Sequence, residues 1–176
     1  MKTQTTIAFA ALCFTISVAH AAGKAHSHGV AKLDIAVEAT QLTVQLESPL
    51  DNLLGFERAP RTDAERQQAN AAVAKLKAAD SIFKIDPAAQ CKLAKVTLAS
   101  AALKIGQPDP AEENSGHADI DGSFEFNCVN ANKAAYLDVG LFEFSHLKQL
   151  DVQLAAPGGQ SKQTLKRPAN RIALRK

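Results

Sequence analysis

Beyond its first two dozen residues the chain has no long apolar run, little net charge and only two cysteines, and each scarcity excludes something. The one apolar run, Ile7 to Val18, follows Lys2 and precedes the small-residue pattern Ala19-His20-Ala21. That arrangement describes a secretory leader, residues 1–22, cut after Ala21 or Ala22. The run is too short to span a bilayer, and no later segment is apolar enough, so no membrane insertion of the mature chain is expected. Removing Lys2 takes the formal charge from +2 to +1, and Lys166, Arg167, Arg171, Arg175 and Lys176 are interspersed with apolar residues. With no dense basic block, a nucleic-acid partner is not expected. Of the three cysteines, Cys13 leaves with the leader. Cys91 and Cys128 remain, an even pair that an oxidising compartment would join in one disulfide.

Motifs of catalysis are missing as well. There is no G-x-S-x-G elbow, no P-loop and no dinucleotide fingerprint, and Ser48 precedes a proline with no base assigned to it. Asp109, Glu112, Glu113, Asp119 and Asp121 lie in or beside a loop, where solvated carboxylates are the ordinary explanation. The chain is therefore not expected to be an enzyme.

What is present is the patterning of one domain of roughly 150 residues, 23–176, with room for a single hydrophobic core. Ala31, Leu33, Ile35 and Val37 alternate with polar residues, and after a break at Ala39-Thr40-Gln41 so do Leu42, Val44 and Leu46, which predicts a hairpin. Pro49 ends the second strand, and Leu50 to Arg61 is expected to be an ordered loop whose Leu53, Leu54 and Phe56 plug an edge of the core. Thr62 and Glu65 have capping-box spacing, and Ala69, Ala72, Val73, Leu76 and Ala79 follow at helical period. Further strands are predicted around Phe83 and Ile85, Cys91 to Leu98, Ile120 to Cys128, Leu137 to Leu141, Leu150 to Leu154, and Ile172 with Leu174. The sequence IGQPDPAEENSG, Ile105 to Gly116, is expected to be a surface loop. The fold class is α+β: an antiparallel β-sheet with one main helix packed on a face and one disulfide.

Histidines supply the candidate chemistry. If His26-Ser27-His28 extends the first strand, two-residue spacing puts both imidazoles on the polar face shared with Asp34 and Glu38. The same rule places His117 and Asp119 on the polar face of their own strand. Together they offer four nitrogen and oxygen ligands, a set suited to tetrahedral zinc, though copper, nickel and iron also accept such donors. A frayed polar tail and a solvated loop histidine are the plain alternatives. His146, beside Phe142 and Phe144 in FEFSH, fits a structural or surface role better.

The stretch ESPLDNLLGFERAPRTDAER, Glu47 to Arg66, is preceded by HSHGVAKLDIAVEATQLTVQL and followed by the Cys91/Cys128 pair and His117-Ala118-Asp119. In these features the chain resembles the ZrgA-like family of periplasmic zinc-binding proteins over nearly its whole mature length. The resemblance implies an exported protein that binds Zn2+ and assists zinc uptake, alongside a periplasmic component of a zinc ABC importer. The family's His-x-His-Gly opening falls on His26, His28 and Gly29, and its His-Ala-Asp element on His117, Ala118 and Asp119. Many relatives carry a long His-rich and acidic insertion before the latter, whereas IGQPDPAEENSG is short and has no histidine. That departure implies one ion where a relative binds several.

Two functional expectations follow. The first is a periplasmic zinc-binding protein with His26, His28, His117 and Asp119 as metal ligands. The second is a metal-independent periplasmic interaction module using Leu50 to Arg61, where Leu53, Leu54 and Phe56 mix with Arg58 and Arg61. Asp51, Glu57 and Asp63 are expected to serve turns and a helix start, not a metal.

Overall fold

Alternation sets the first hairpin. In the computed structural model, which describes residues 27–108 and 118–175, β1 (Val30–Val37) and β2 (Gln41–Pro49) pair antiparallel, with Leu33 opposite Leu46 and Ile35 opposite Val44. Ala31, Leu33, Ile35, Leu42, Val44 and Leu46 are all buried, while Lys32, Asp34 and Glu47 point to the other face. The Glu38 N–H donates to the Gln41 carbonyl and closes the turn without a glycine. The leader, His26 and the segment 109–117, which includes His117, lie outside the described residues.

Pro49 ends β2, and the next five residues form a short helix, α1 (Leu50–Leu54), where a loop was expected. Leu50, Leu53 and Leu54 are buried, so the expected core plug is there in helical form. The main helix α2 (Asp63–Lys77) starts at a complete capping box. The Glu65 N–H donates to Thr62 Oγ1 at 3.1 Å, and Glu65 Oε2 accepts from the Thr62 N–H at 3.2 Å. Ala69, Ala72 and Leu76 form its buried stripe, so α2 seats closely through small side chains. A one-turn helix α3 (Ala79–Ile82) leads into β3 (Phe83–Ile85).

The remaining strands are β4 (Cys91–Ala99), β5 (Asp119–Cys128), β6 (Tyr136–Val139), β7 (Gln149–Ala156), β8 (Gly159–Lys166) and β9 (Arg171–Ala173). Six of the nine form one sheet in the order β4-β5-β2-β1-β7-β8, and β3-β6-β9 form a second. All pairs are antiparallel except β1 with β7, which run parallel with Leu33 beside Val152. The α+β class stands, with this one parallel pair inside the larger sheet, between β2 and the edge strand β8. The smaller sheet covers the apolar face of the larger: the Phe83 ring lies 4.9 Å from Phe124 and 6.5 Å from Phe126. Phe124, Leu137 and Ile172 are fully buried in one continuous cluster, each contributing roughly 1.5–3 kcal/mol. The large sheet's other face stays polar, with Lys32 bound to Glu47 and Gln45 to Ser123.

Cys91 and Cys128 face each other in the β4/β5 register and are joined by the expected disulfide across 37 residues. A loop of that size stabilises by roughly 3–4 kcal/mol in the chain-entropy model. The apolar parity of β4 changes from Cys91 and Leu93 to Val96 and Leu98, and the register shifts between Leu93 and Lys95. A β-bulge there inserts the extra residue.

The capping box carries a pH dependence. The Arg58 guanidinium, the Arg61 N–H and the Thr62 N–H together hold the Glu65 carboxyl down to about 2, from an ordinary value of 4.5. Because the folded value is the lower one, its stabilisation is complete above 4.5 and is lost as pH falls towards 2. Urea unfolding at pH 7 and at pH 3 should show a smaller acid loss in Glu65→Gln than in the wild type.

Candidate functional site

One end of the large sheet collects the chain's chemistry. There β1 begins, β2 ends at Pro49, and β5 begins at Asp119, which sits opposite Pro49 in the register. The Leu50 N–H donates to the Ala118 carbonyl at 2.8 Å, so α1 grows directly from the β2/β5 junction.

His28 is placed here by a turn, not by an extension of β1. The Val30 N–H donates back to the Ser27 carbonyl at 3.0 Å, and Gly29 takes φ of +82°. That left-handed conformation favours glycine, and it interrupts the strand alternation that would have carried His28 onto the polar face of Asp34. Gly29 is held from two sides. Its N–H donates to Asn52 Oδ1 at 2.6 Å, and its carbonyl accepts from the Lys148 and Gln149 N–H groups at 2.8 and 2.9 Å. Asn52, fully buried, also donates to the Val30 carbonyl at 2.8 Å and to Ser48 Oγ at 3.1 Å. Its amide is thus well satisfied inside the core, and removing it would leave buried partners unmet at roughly 1–3 kcal/mol.

With its neighbour pinned, the His28 ring lies between two carboxylates. Nδ1 is 2.9 Å from Asp51 Oδ2 on α1, and Nε2 is 3.3 Å from Glu57 Oε2 beyond it. The His28 side chain is 64% exposed and both carboxylates are mostly covered, at 23% and 22%. An ion can reach the imidazole from solvent, whereas the acids are held in place. Asp51 does occupy the first turn of α1, as a helix-start residue should, but its carboxylate turns to His28.

The segment carrying Glu57 is braced. Gly55 caps α1 with φ of +75°, its N–H on the Asp51 carbonyl. Arg58 binds both Glu65 oxygens, at 2.6 and 3.0 Å, and lies 4.9 Å from the centre of the Phe56 ring. His146 approaches from the other side of Gly55, where a Cβ would lie only 2.8 Å from its Nε2. The His146 segment is tied down by Arg167, which donates to the Phe144 and Leu147 carbonyls.

Of the proposed ligands, His28 and Asp119 are described, and His26 and His117 lie outside the described residues. Asp119 is buried, 6% exposed, at the same sheet end but on the strand beyond α1. Among the described residues no group of three or more His, Cys, Asp and Glu is placed to hold a metal ion. What the described residues do bring together is His28 with Asp51 and Glu57, whose carboxylates sequence reasoning assigned to turns. The signal for them was the density of acids in the stretch Glu47 to Arg66, and His28 and Asp51 are 23 positions apart.

The sequence model of the family described as ZrgA family zinc uptake protein matches residues 25–174. The chain belongs to this family. No curated protein matches the chain in sequence.

The hydrogen bond that His28 donates to Asp51, then the charges of Asp51 and Glu57, raise the His28 imidazole above its ordinary 6.5. A raised folded value means that the stabilisation is complete below 6.5 and is lost as pH climbs through the folded value. In the zinc-free protein, NMR titration of the His28 Cε1–H should give a midpoint above 6.5, and Asp51→Asn should bring it down.

Proposed function

We propose that this chain is an exported, non-catalytic zinc-binding protein that serves zinc uptake from the periplasm. The observation that carries the reading is an accessible imidazole held between two fixed carboxylates, in a chain belonging to a zinc uptake family. Residues 1–22 act as the cleaved leader, and 23–176 form the mature domain. No helix among the described residues is long and apolar enough to cross a membrane.

In this reading zinc is cargo, held by His26, His28, His117 and Asp119. Imidazole nitrogens and a carboxylate oxygen are the donors that tetrahedral zinc accepts, and copper, nickel or iron would compete for them. Asp51 and Glu57 concentrate negative charge at the mouth of the site, which favours entry of a cation. Protons compete for the same imidazole, so loading weakens as pH falls. Release would be to a periplasmic component of a zinc ABC importer. The short segment 105–116, with no histidine, accords with one ion per chain.

The metal-independent alternative, docking through Leu50 to Arg61, is less well supported. Leu53 and Leu54 are buried in the core, and Arg58 is committed to Glu65 and Phe56. These side chains are occupied within the fold.

Zinc calorimetry on the mature, untagged protein should show one binding event. A His26→Ala/His28→Ala/His117→Ala variant should lose it, and equal stoichiometry and affinity in the two proteins would refute the site.

A further inference from the structure

We infer that the two sheets enclose a binding site for an aliphatic carboxylate at the end opposite His28, with Arg175 receiving the carboxylate and the alkyl chain lying between the sheets. The site shares no residue with the zinc-binding reading and stands independently of it.

Strand pairing builds the cleft. Towards the far end of the larger sheet, the facing residues of β7 and β8 shrink from Leu150 with Leu165 to Leu154 with Ser161, then to Ala156 with Gly159. Across the gap Ala134 and Ala173 are equally short, and a Cβ added at Gly158 or Gly159 would meet no atom within 4 Å. Between these walls lies a cleft of about 710 Å3, inside the roughly 300–1,000 Å3 range of small-ligand sites. Protein interiors are otherwise packed nearly without voids, so the taper marks this end as different from the aromatic centre around Phe124.

Gln163 holds the walls apart. It shares the inward parity of buried Leu165, and its side-chain amide donates to the Ala173 carbonyl at 2.8 Å and accepts from the Ala173 N–H at 3.1 Å. This pair of bonds ties β8 to β9 and fixes the separation of the two sheet edges at a width that the small side chains beside it do not fill.

The lining selects the ligand. Val37, Leu154 and Leu174 present aliphatic surface, and among the described residues no aromatic side chain lines the cleft. An alkyl chain suits such walls better than a flat ring. No Asp or Glu lines the cleft among the described residues, and Arg175 is its one charged group. Arg175 makes no ion pair among the described residues. Its charge reaches Asp86, but that carboxyl is already held by the Ala88 and Ala135 N–H groups. An uncommitted guanidinium beside apolar walls is complementary to a carboxylate, which it can grip through two parallel N–H bonds. The Ser161 hydroxyl and the Asn132 side-chain amide line the same cleft without partners among the described residues, and they offer neutral hydrogen bonds beside the cation.

The test is calorimetric titration of the mature protein with octanoate, decanoate and dodecanoate below their micelle concentrations, and with octanol as the uncharged counterpart. Affinity should tighten by about fourfold per added methylene. Arg175→Gln should weaken the carboxylates at least about tenfold and leave octanol unchanged. Ala156→Leu and Ser161→Leu fill the cleft from neighbouring strands, and each should abolish binding of all four ligands. Far-UV circular dichroism and urea unfolding establish which variants fold, and either cleft-filling variant suffices. If no carboxylate binds, or if a folded cleft-filling variant binds them as tightly as the wild type, there is no such site. If octanoate and octanol bind equally and Arg175→Gln alters neither, the assignment of a carboxylate is overturned.

Discussion

The buried side chain of Asn52 is the interaction on which the site end of the fold depends. One amide makes three bonds: it accepts from the Gly29 N–H, donates to the Val30 carbonyl at the start of β1, and donates to the Ser48 hydroxyl near the end of β2. Besides it, α1 is attached to the sheet by chain connectivity, leucine packing and the Leu50 N–H bond to the Ala118 carbonyl at its first residue. Asp51 is the next residue along α1, so the rotation that Asn52 fixes also determines where the Asp51 carboxylate points. Gly29 receives a second clamp from Lys148 and Gln149, the entry to β7. The parallel β1–β7 pairing and the position of His28 therefore have the same anchor.

Glu57 is placed by a different set of forces. Its segment runs from the left-handed cap at Gly55 to the capping box of α2, and Arg58 bridges the two by gripping Glu65 while lying against Phe56. Such ion pairs contribute little when fully exposed, but Glu65 here serves three donors at once. The same carboxylate that starts α2 therefore keeps the preceding loop from swinging away from His28. The stretch Glu47 to Arg66 links the hairpin to the main helix, and it also supplies both acids facing the imidazole.

Much of the fold was legible because its signals are local. Alternation marked β1, β2, β5 and β7, Thr62 and Glu65 marked the start of α2, and the inward parity of Cys128 agreed with its pairing to Cys91. Three features had no local signal. β8 is an edge strand in which only Leu165 is buried, and its lysines and glutamines resemble a loop while protecting an open sheet edge. The parallel β1–β7 pair joins residues more than a hundred positions apart. Leu141 continues the parity of β6 but turns into a 3-10 segment after Gly140, which removes it from the strand. At the site, the two-residue rule placed His28 on the sheet's polar face, yet the positive φ of Gly29 rotates it onto α1. Glycine after histidine was the visible cue. Which carboxylates it would meet depended on tertiary packing across more than twenty residues.

What emerges is a site assembled on a sheet end, with the imidazole open to solvent and its acidic partners fixed by capping and buried amide hydrogen bonds. The most direct measurement is anomalous diffraction at the zinc edge from crystals of the zinc-loaded mature protein. The account predicts a single peak about 2.0–2.1 Å from His28 Nε2. A peak bonded to Nδ1, or one remote from His28, would contradict it.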